Sequence, residues 1–443
     1  MVRKIIPTDY GTGIPLNEGF GMANDNFKEL YGQSQVYGIE YDVTHAAPEV
    51  TRVGNMALHA SLPVQSKMRK CLLDDKGNVN YYLDPNDGTL RDDGTPALLD
   101  GTHGQVMVEV PEHYESFTNP SANINRAMIS LQPFENSRRV EKFYIAAYKA
   151  ALNRTSNKLS SVVNATADYR GGNNSPTNDA NAATLLGKPA SSISRINFDL
   201  YAENRGAKWA QITYEARKKI FWLITIEYAT RNHQANFDAT LTPEGYRQGA
   251  LGKGATDISS ADWTSFNGQN PALDCGLTNE FGNDSGEKEI TLIDFPIVGE
   301  TRTTQANSYR GIENFFGDIW EWTNGINYRI EGGIATAYIS NGKKTSNTDY
   351  IGYRSAGSLA GANGYISQVT FGVHGDITPK SSTGGSSTTF FCDYWSLGVS
   401  DGLRGLLAGG ALSNGARAGS AFSYSYHAPS STIAYIGSRL CFF

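Results

Sequence analysis

The chain has few charged residues, no excess of positive charge and no long apolar run. Charged residues make up 19% of its 443 residues and the net charge is −6, which gives no indication of a basic surface for nucleic acid. The longest apolar run, IFWLITI at 220–226, is too short to span a bilayer. The first residues, MVRKIIPTDYGTG, lack the apolar region and cleavage site of a signal peptide. We therefore expect no nucleic-acid partner, no membrane insertion and synthesis in a cytoplasm.

Cysteine is also scarce. Cys71, Cys275, Cys392 and Cys441 form no C-x-x-C pair and match no zinc-binding spacing. The pattern favours four buried free thiols, and a Cys392–Cys441 disulfide is the alternative.

The common catalytic and metal-binding motifs are missing as well. The sequence contains no H-E-x-x-H and no P-loop. The acidic turn DPNDGTLRDDG at 84–94 lacks the ligand spacing and terminal Glu of an EF-hand loop. The seven histidines are scattered, and His374 and His427 are more typical of loop residues than of catalytic ones. We predict no catalytic residue, no metal and no cofactor, and hence not an enzyme.

Glycine, tyrosine and polar turn residues are abundant instead, which indicates a loop-rich protein. Apolar residues at 16, 20, 23, 27 and 30 follow the spacing of one helix face. Residues 36–117 show the alternation and β-branched content of strands. A strand leading into a helix is predicted for 140–154, a mostly buried helix for 208–234 and a strand for 289–298.

One aromatic stretch, YRGIENFFGDIWEWTNG at 309–325, has no counterpart elsewhere in the chain. Trp320 and Trp322 lie two residues apart and would share one face of a strand. Glycines on either side favour turns, and buried indole rings contribute large apolar areas. We interpret Trp320 and Trp322 as structural core that holds long loops together.

The N-terminal pattern from Gly13 to Tyr31, with its N-D-N-F-x-E-L-Y ending, resembles a short module near the start of bacteriophage tail and fibre proteins. An ordinary amphipathic helix is the alternative. The resemblance implies that residues 1–35 attach the chain to other virion proteins or assemble copies of it, with a homotrimer as the expected form.

The G-D-I-W-E-W stretch resembles the G-N-V-W-E-W signature of C-type lectin folds of the formylglycine-generating-enzyme (sulfatase-modifying) type. Two further segments agree in order: LITIEYATRNHQ at 223–234, and the C-terminal part from LRGLLAGG to IGSRLCF at 403–442. Ser438, Ala411 and Leu412 depart from the family pattern. The resemblance implies an α+β, loop-rich, C-type lectin-like domain over 118–443, after the β-rich segment 36–117.

The catalytic features of that family are not visible here. Its enzymes hold copper with a cysteine pair near the C-terminus, and Cys392 and Cys441 do not lie in a matching context. The E-P-N and Q-P-D tripeptides of calcium-dependent lectins do not occur. The sequence therefore predicts a binding protein on this scaffold rather than the oxidase or a calcium lectin.

The C-terminal segment 411–435 is rich in Ser, Tyr, Ala, Gly and Asn, residues typical of adaptable binding surfaces. It resembles the variable end of retroelement-diversified phage proteins; a glycine-rich connecting loop is the alternative. The resemblance implicates eight residues in receptor binding: Ala411, Leu412, Asn414, Arg417, Ser420, Tyr424, Tyr426 and His427. Arg439 is predicted to be buried, with Glu321 as its suggested acidic partner.

Taken together, the sequence predicts a phage virion protein, a tail fibre or receptor-binding protein that adheres to a bacterial surface glycan or protein. Multivalent display would turn weak contacts into high avidity. A head fibre or capsid decoration protein, or a polysaccharide-degrading enzyme on the same scaffold, are the alternatives.

Overall fold

The computed structural model describes residues 34–163, 187–340 and 347–443. The predicted N-terminal attachment helix lies outside these residues, and so does most of the predicted 1–35 module. No helix among the described residues is long and apolar enough to cross a membrane.

The expected α+β class is wrong, because the chain is mostly β-sheet. Strands hold 40% of the described residues and helices 13%. Many strands have only two to four residues, so their alternation is too short to recognise in the sequence. The strands of the first half are β1 (Tyr37–Asp42), β2 (Thr51–Gly54), β3 (Arg69–Leu73), β4 (Val79–Tyr82), β5 (Gln105–Val110), β6 (His113–Ser121), β7 (Ile124–Ser130), β8 (Arg138–Val140), β9 (Phe143–Ala146), β10 (Ala151–Asn153), β11 (Lys158–Ser160), β12 (Trp209–Gln211), β13 (Phe237–Leu241) and β14 (Arg247–Gly249).

The strands of the second half are β15 (Gly286–Ile293), β16 (Thr301–Tyr309), β17 (Ile312–Glu313), β18 (Trp320–Glu331), β19 (Ile334–Ile339), β20 (Arg354–Ser358), β21 (Gly364–Tyr365), β22 (Gln368–Phe371), β23 (Asp376–Ser381), β24 (Tyr394–Ser396), β25 (Gly402–Gly409), β26 (Gly419–Tyr424), β27 (Ile436–Gly437) and β28 (Leu440–Phe442). The α-helices are α1 (Ala57–Ser61), α2 (Arg195–Glu203), α3 (Tyr214–Tyr228) and α4 (Ser260–Ser265). Short 3-10 helices cover Gln65–Lys67, Asn267–Gln269, Asn279–Phe281, Gly372–His374 and Gly415–Arg417.

Three sheets carry most of the architecture. An eight-stranded sheet has the order β20-β19-β18-β25-β26-β24-β21, with β27 paired to β18; a six-stranded sheet has the order β12-β28-β9-β5-β3-β4; and a five-stranded sheet has the order β2-β1-β7-β6-β8. The six-stranded sheet joins the C-terminal strand to strands from the first quarter of the chain. Strand β6 runs across the boundary predicted at residues 117 and 118.

Helix α3 is the long helix predicted within 208–234, although it is shorter at both ends. Thr213 caps it, since its side chain accepts a hydrogen bond from Ala216 N at 3.2 Å, and Ala229 ends it in the left-handed region at φ 51°. Almost every residue of α3 is buried. The buried carboxylate of Glu227 receives hydrogen bonds from Arg310 Nε at 3.1 Å and from Tyr309 Oη at 3.1 Å, which offset its desolvation.

Three other local predictions need correction. Residues 140–154 hold strands β9 and β10 and no helix, and the strand predicted at 289–298 is shifted to Gly286–Ile293. The alternative disulfide is also wrong, because all four cysteines are free and buried.

The last three residues of the GDIWEW stretch begin β18, which lies between β19 and β25 in the eight-stranded sheet. Gly317 precedes it at φ 84°, where a Cβ would come within 2.6 Å of Ala255 O, so glycine is required there. Trp320 and Trp322 are buried and share one apolar cluster with the C-terminal segment. Because successive side chains of a strand point to opposite faces of the sheet, the side chain of Glu321 lies on the face opposite to the two tryptophans.

Candidate functional site: an aromatic surface at the end of the eight-stranded sheet

The apolar cluster that contains Trp320 and Trp322 is bordered on its outer side by a surface of aromatic rings, which we call the tyrosine surface. It consists of Tyr365, Tyr394, Arg417, Tyr424, Tyr426 and His427, none of which is fully buried. Strands β21, β24 and β26 lie side by side in the sheet and place these rings on one face. Strand pairing therefore brings together residues that are up to 62 positions apart in the sequence.

Tyr424 is the centre of the tyrosine surface. Its ring lies 5.0 Å from Trp320, and it stacks with Tyr426 at 4.7 Å and with His427 at 5.6 Å. Trp320 also packs against the buried ring of Phe422 at 4.5 Å. The buried core thus fixes the position of the exposed rings, so their binding to a partner would cost little side-chain entropy.

A second group of rings continues the surface. Tyr394 meets Tyr365 edge to face at 5.1 Å and contacts Phe422 at 5.9 Å. The guanidinium of Arg417 lies 5.0 Å from the centre of the Tyr394 ring, a cation–π contact. Arg417 gives the tyrosine surface a permanent positive charge.

Tyr424 and His427 are neutral at pH 7. Burial, with the nearby Tyr435 and Tyr426, raises the pKa of Tyr424 to about 12. Burial, together with the charge of Arg404, lowers the pKa of His427. Tyr426 is 37% exposed, and its Oη accepts a hydrogen bond from Asn363 Nδ2 at 3.4 Å. The arrangement offers stacking faces and hydrogen-bonding edges rather than a charged cleft.

Not all eight residues implicated by the sequence lie on this surface. Ala411, Leu412 and Ser420 are 1%, 0% and 1% exposed, so their side chains are packed inside and do not face a partner. Asn414 is partly exposed, but its Oδ1 accepts a hydrogen bond from Ala411 N at 2.6 Å and shapes the loop. The other four implicated residues do lie together on the tyrosine surface: Arg417, Tyr424, Tyr426 and His427.

The core residues named from the sequence are buried. Trp322 and Arg439 are fully enclosed, and Arg439 Nε donates to Glu321 Oε1 at 3.0 Å. Sequence reasoning missed Tyr365 and Tyr394, which belong to the tyrosine surface. The aromatic run around FFCDYW was visible, but only strand pairing shows that it adjoins β26.

Ser420 has a structural contact on the inner side of the sheet. Its hydroxyl bonds His233 Nδ1, and His233 Nε2 lies 3.0 Å from Thr225 Oγ1. Burial lowers the pKa of His233 to about 3 from an ordinary 6.5. The imidazole is therefore neutral in the folded protein at pH 7.

His233 should make stability depend on pH. The unfolded chain takes up a proton as the pH falls below about 6.5, whereas the folded chain does so only near pH 3, so stability is lost across this window. Between pH 7 and pH 5, the loss from His233 is expected to be about 2 kcal/mol. Urea unfolding at both pH values measures it, and His233→Gln should show a smaller pH difference than the wild type. An equal difference in both proteins would contradict the assignment.

Among the described residues, no group of three or more His, Cys, Asp or Glu side chains could hold a metal ion. A cavity of about 500 Å³ lies elsewhere and is lined by Arg138, Lys142, Glu215, Lys219 and Arg354 among others. Arg138 is paired with Glu115, and Arg354 with Asp376. This cavity and the tyrosine surface share no residue.

Comparison with known proteins gives remote likenesses only. No protein-family model matches the chain, and no curated protein sequence matches it. Among solved structures, the Major Tropism Determinant U1 variant is 14% identical with a TM-score of 0.25, over 68% of this chain and 50% of that chain. The M1 variant is 13% identical with a TM-score of 0.26, over 78% of this chain and 73% of that one. PvdO from Pseudomonas aeruginosa is 12% identical with a TM-score of 0.32, over 76% of this chain and 94% of that one.

The chain thus spans half the length of the U1 variant. These TM-scores do not establish a shared fold. The resemblance to the formylglycine-generating-enzyme type is not confirmed by the comparisons.

Proposed function

We propose that this chain is a phage virion protein that binds a receptor on the bacterial surface through the tyrosine surface. The observation that carries the proposal is the stack of Tyr424, Tyr426 and His427, held from below by Trp320. A contiguous group of partly exposed aromatic rings is typical of an interaction site, whereas single exposed apolar residues are normal. Tyrosine is enriched at binding hot spots because it offers a large, rigid contact area and a hydrogen-bonding hydroxyl.

The chemistry of the tyrosine surface favours binding over catalysis. Its rings can stack on a sugar ring or an apolar side chain, while the hydroxyls, Asn363 and Arg417 can form hydrogen bonds. His427 stacks on Tyr424, and its lowered pKa makes it a neutral contact group. A non-enzymatic adhesin fits this set of groups.

The virion location rests on the sequence pattern between Gly13 and Tyr31, which resembles the attachment module of phage tail and fibre proteins. Attachment through this module would display several copies of the tyrosine surface on one particle. Linked copies bind with much higher avidity than a single one, provided that they can engage together. A homotrimer is the proposed arrangement, because three copies suit a fibre and oligomers are usually symmetric.

Replacing Tyr424 and Tyr426 together by alanine should weaken binding to host cells at least about tenfold, since hot-spot truncations cost about 2 kcal/mol or more. The fold should remain, because both rings are on the outer side of the core. The measurement is binding of the purified, labelled protein to a panel of intact bacterial strains, with the unfolding midpoint recorded for each variant.

The chain offers a matched control. Tyr338 and Tyr350 form another partly exposed stacked pair, with ring centres 4.0 Å apart, away from the tyrosine surface. The variant with both replaced by alanine should bind like the wild type. Equal binding by the Tyr424/Tyr426 variant would contradict the assigned surface, and binding of the wild type to no strain would contradict the receptor function.

A further inference from the structure

Lys70 is a buried lysine that forms no ion pair with any described residue. Its side chain lies in β3 and is 0% exposed. The space around it is narrow, since a Cβ on Gly88 would lie 3.0 Å from Nζ and a Cβ on Gly311 would lie 2.9 Å from Cε. Within the described part of the chain, no carboxylate is within ion-pair distance of Nζ. An isolated buried ammonium is costly, so burial favours the neutral amine.

The hydrogen-bond partner of Lys70 is an amide. Lys70 Nζ donates to Asn279 Oδ1 at 3.1 Å, and the carbonyl carbon lies about 1.2 Å beyond that oxygen. The Tyr148 hydroxyl donates to the same oxygen at 2.6 Å. Asn279 and Tyr148 are both buried. The Tyr148 hydroxyl polarises the amide and is placed where negative charge would develop on Oδ1 during attack on the carbonyl carbon.

A buried acid completes the cluster. Glu313 accepts hydrogen bonds from Gly276 N at 2.8 Å and from Thr278 N at 2.7 Å, and so fixes the turn that carries Asn279. Burial raises the pKa of Glu313. Burial lowers the pKa of Lys70 to about 8, against the opposing charge of Glu313. The amine is therefore available as a nucleophile near neutral pH.

We propose that Lys70 and Asn279 form an intramolecular isopeptide bond. The lone pair of the neutral Nζ attacks Asn279 Cγ, and the carbonyl electrons move to Oδ1 beside the Tyr148 hydroxyl. The carbonyl then re-forms and the Cγ–Nδ2 bond breaks. One proton passes from Nζ to Nδ2 within the tetrahedral intermediate, and ammonia leaves. The products are one secondary amide and one ammonia, so no oxidant, metal or co-reactant is needed.

The bond would tie together two parts of the chain that lie 209 residues apart in sequence. A cross-link of this kind restricts the unfolded chain, as a disulfide does, and the effect grows with the length of the closed loop. The four cysteines are free, so an amide would supply a covalent tie that does not depend on redox conditions. The proposal is independent of the receptor-binding function.

Intact-mass measurement of the denatured full-length protein tests the bond. The wild type should be lighter than its sequence by the mass of one ammonia molecule, and a digest should contain a branched peptide that joins Lys70 to Asn279. Lys70→Met should restore the full mass and abolish the branched peptide. Glu313→Gln should lower the cross-linked fraction in a protein that still unfolds cooperatively.

Two controls distinguish this bond from cross-links or ammonia loss at neighbouring residues. Asn283 Oδ1 accepts a hydrogen bond from Lys70 N at 2.7 Å but is not the proposed amide, so Asn283→Ser should keep the branched peptide. Lys149 is buried against the carboxylate of Glu321, and its peptide should be unmodified. A folded wild type with the full sequence mass would overturn the proposal, as would ammonia loss without the branched peptide, the signature of a succinimide.

Discussion

Replacing Glu321 by alanine is expected to lower the free energy of unfolding by about 3–5 kcal/mol, the cost of removing one partner from a buried ion pair. The carboxylate has three cationic partners: Lys149 Nζ at 3.1 Å, Arg217 Nη1 at 2.8 Å and Arg439 Nε at 3.0 Å. All four side chains are buried. The variant would leave three positive charges facing one another without a counter-charge, so the effect should lie at the upper end of this range.

A matched control lies on the same strand. Glu331 pairs with Arg329 at 2.9 Å, but its side chain is 68% exposed, and solvent screening leaves such pairs with little net effect. Glu331→Ala should change stability by about 0.5 kcal/mol or less. Urea unfolding of both variants measures the contrast, and similar midpoints for the two would show that the Glu321 cluster does not hold the core together.

The charge state of Glu321 adds a pH signature. Burial alone would raise its pKa, but the three cations lower it to about 2 from an ordinary 4.5. The stabilisation is therefore fully present above about pH 4.5 and is lost as the pH falls towards 2. Above pH 5, Glu321 should not make the free energy of unfolding depend on pH. His233 should do so in this range, which distinguishes the two residues.

Trp320→Ala is expected to lower the free energy of unfolding by about 3–5 kcal/mol, as truncation of large buried aromatic residues does. It should also weaken receptor binding, because Tyr424 and Phe422 rest on this indole. Trp320→Phe keeps a ring and should recover part of both properties. Chemical unfolding and cell binding of the two variants measure the effects. An alanine variant with the stability of the wild type would contradict the structural role of Trp320.

Part of the site could be predicted from sequence because the responsible signals are local. Trp320 and Trp322 share a strand face by alternation, and Tyr424 and Tyr426 stand out in a segment of small residues. The burial of Ala411, Leu412 and Ser420 could not be predicted in the same way. Small residues suit a surface loop and a tight core equally well, and only the fold decides between them.

The features that could not be predicted from the sequence depend on contacts between residues that lie far apart in the chain. Glu321 was suggested as the partner of Arg439, but Lys149 and Arg217 lie 172 and 104 residues from it in sequence, with no pattern that links them. The α+β expectation failed for a related reason. Helix α3 carries a clear signal over fifteen residues, while half of the described strands have four residues or fewer, which is too short to show clear alternation.

The most direct test of the receptor-binding account is site-specific photo-crosslinking on intact host cells. A photoreactive phenylalanine analogue at position 426 should attach the chain covalently to a component of the bacterial surface, while the same analogue at position 350 should not. Attachment from 350 with none from 426, in proteins that bind the cells equally well, would show that the tyrosine surface does not contact the receptor.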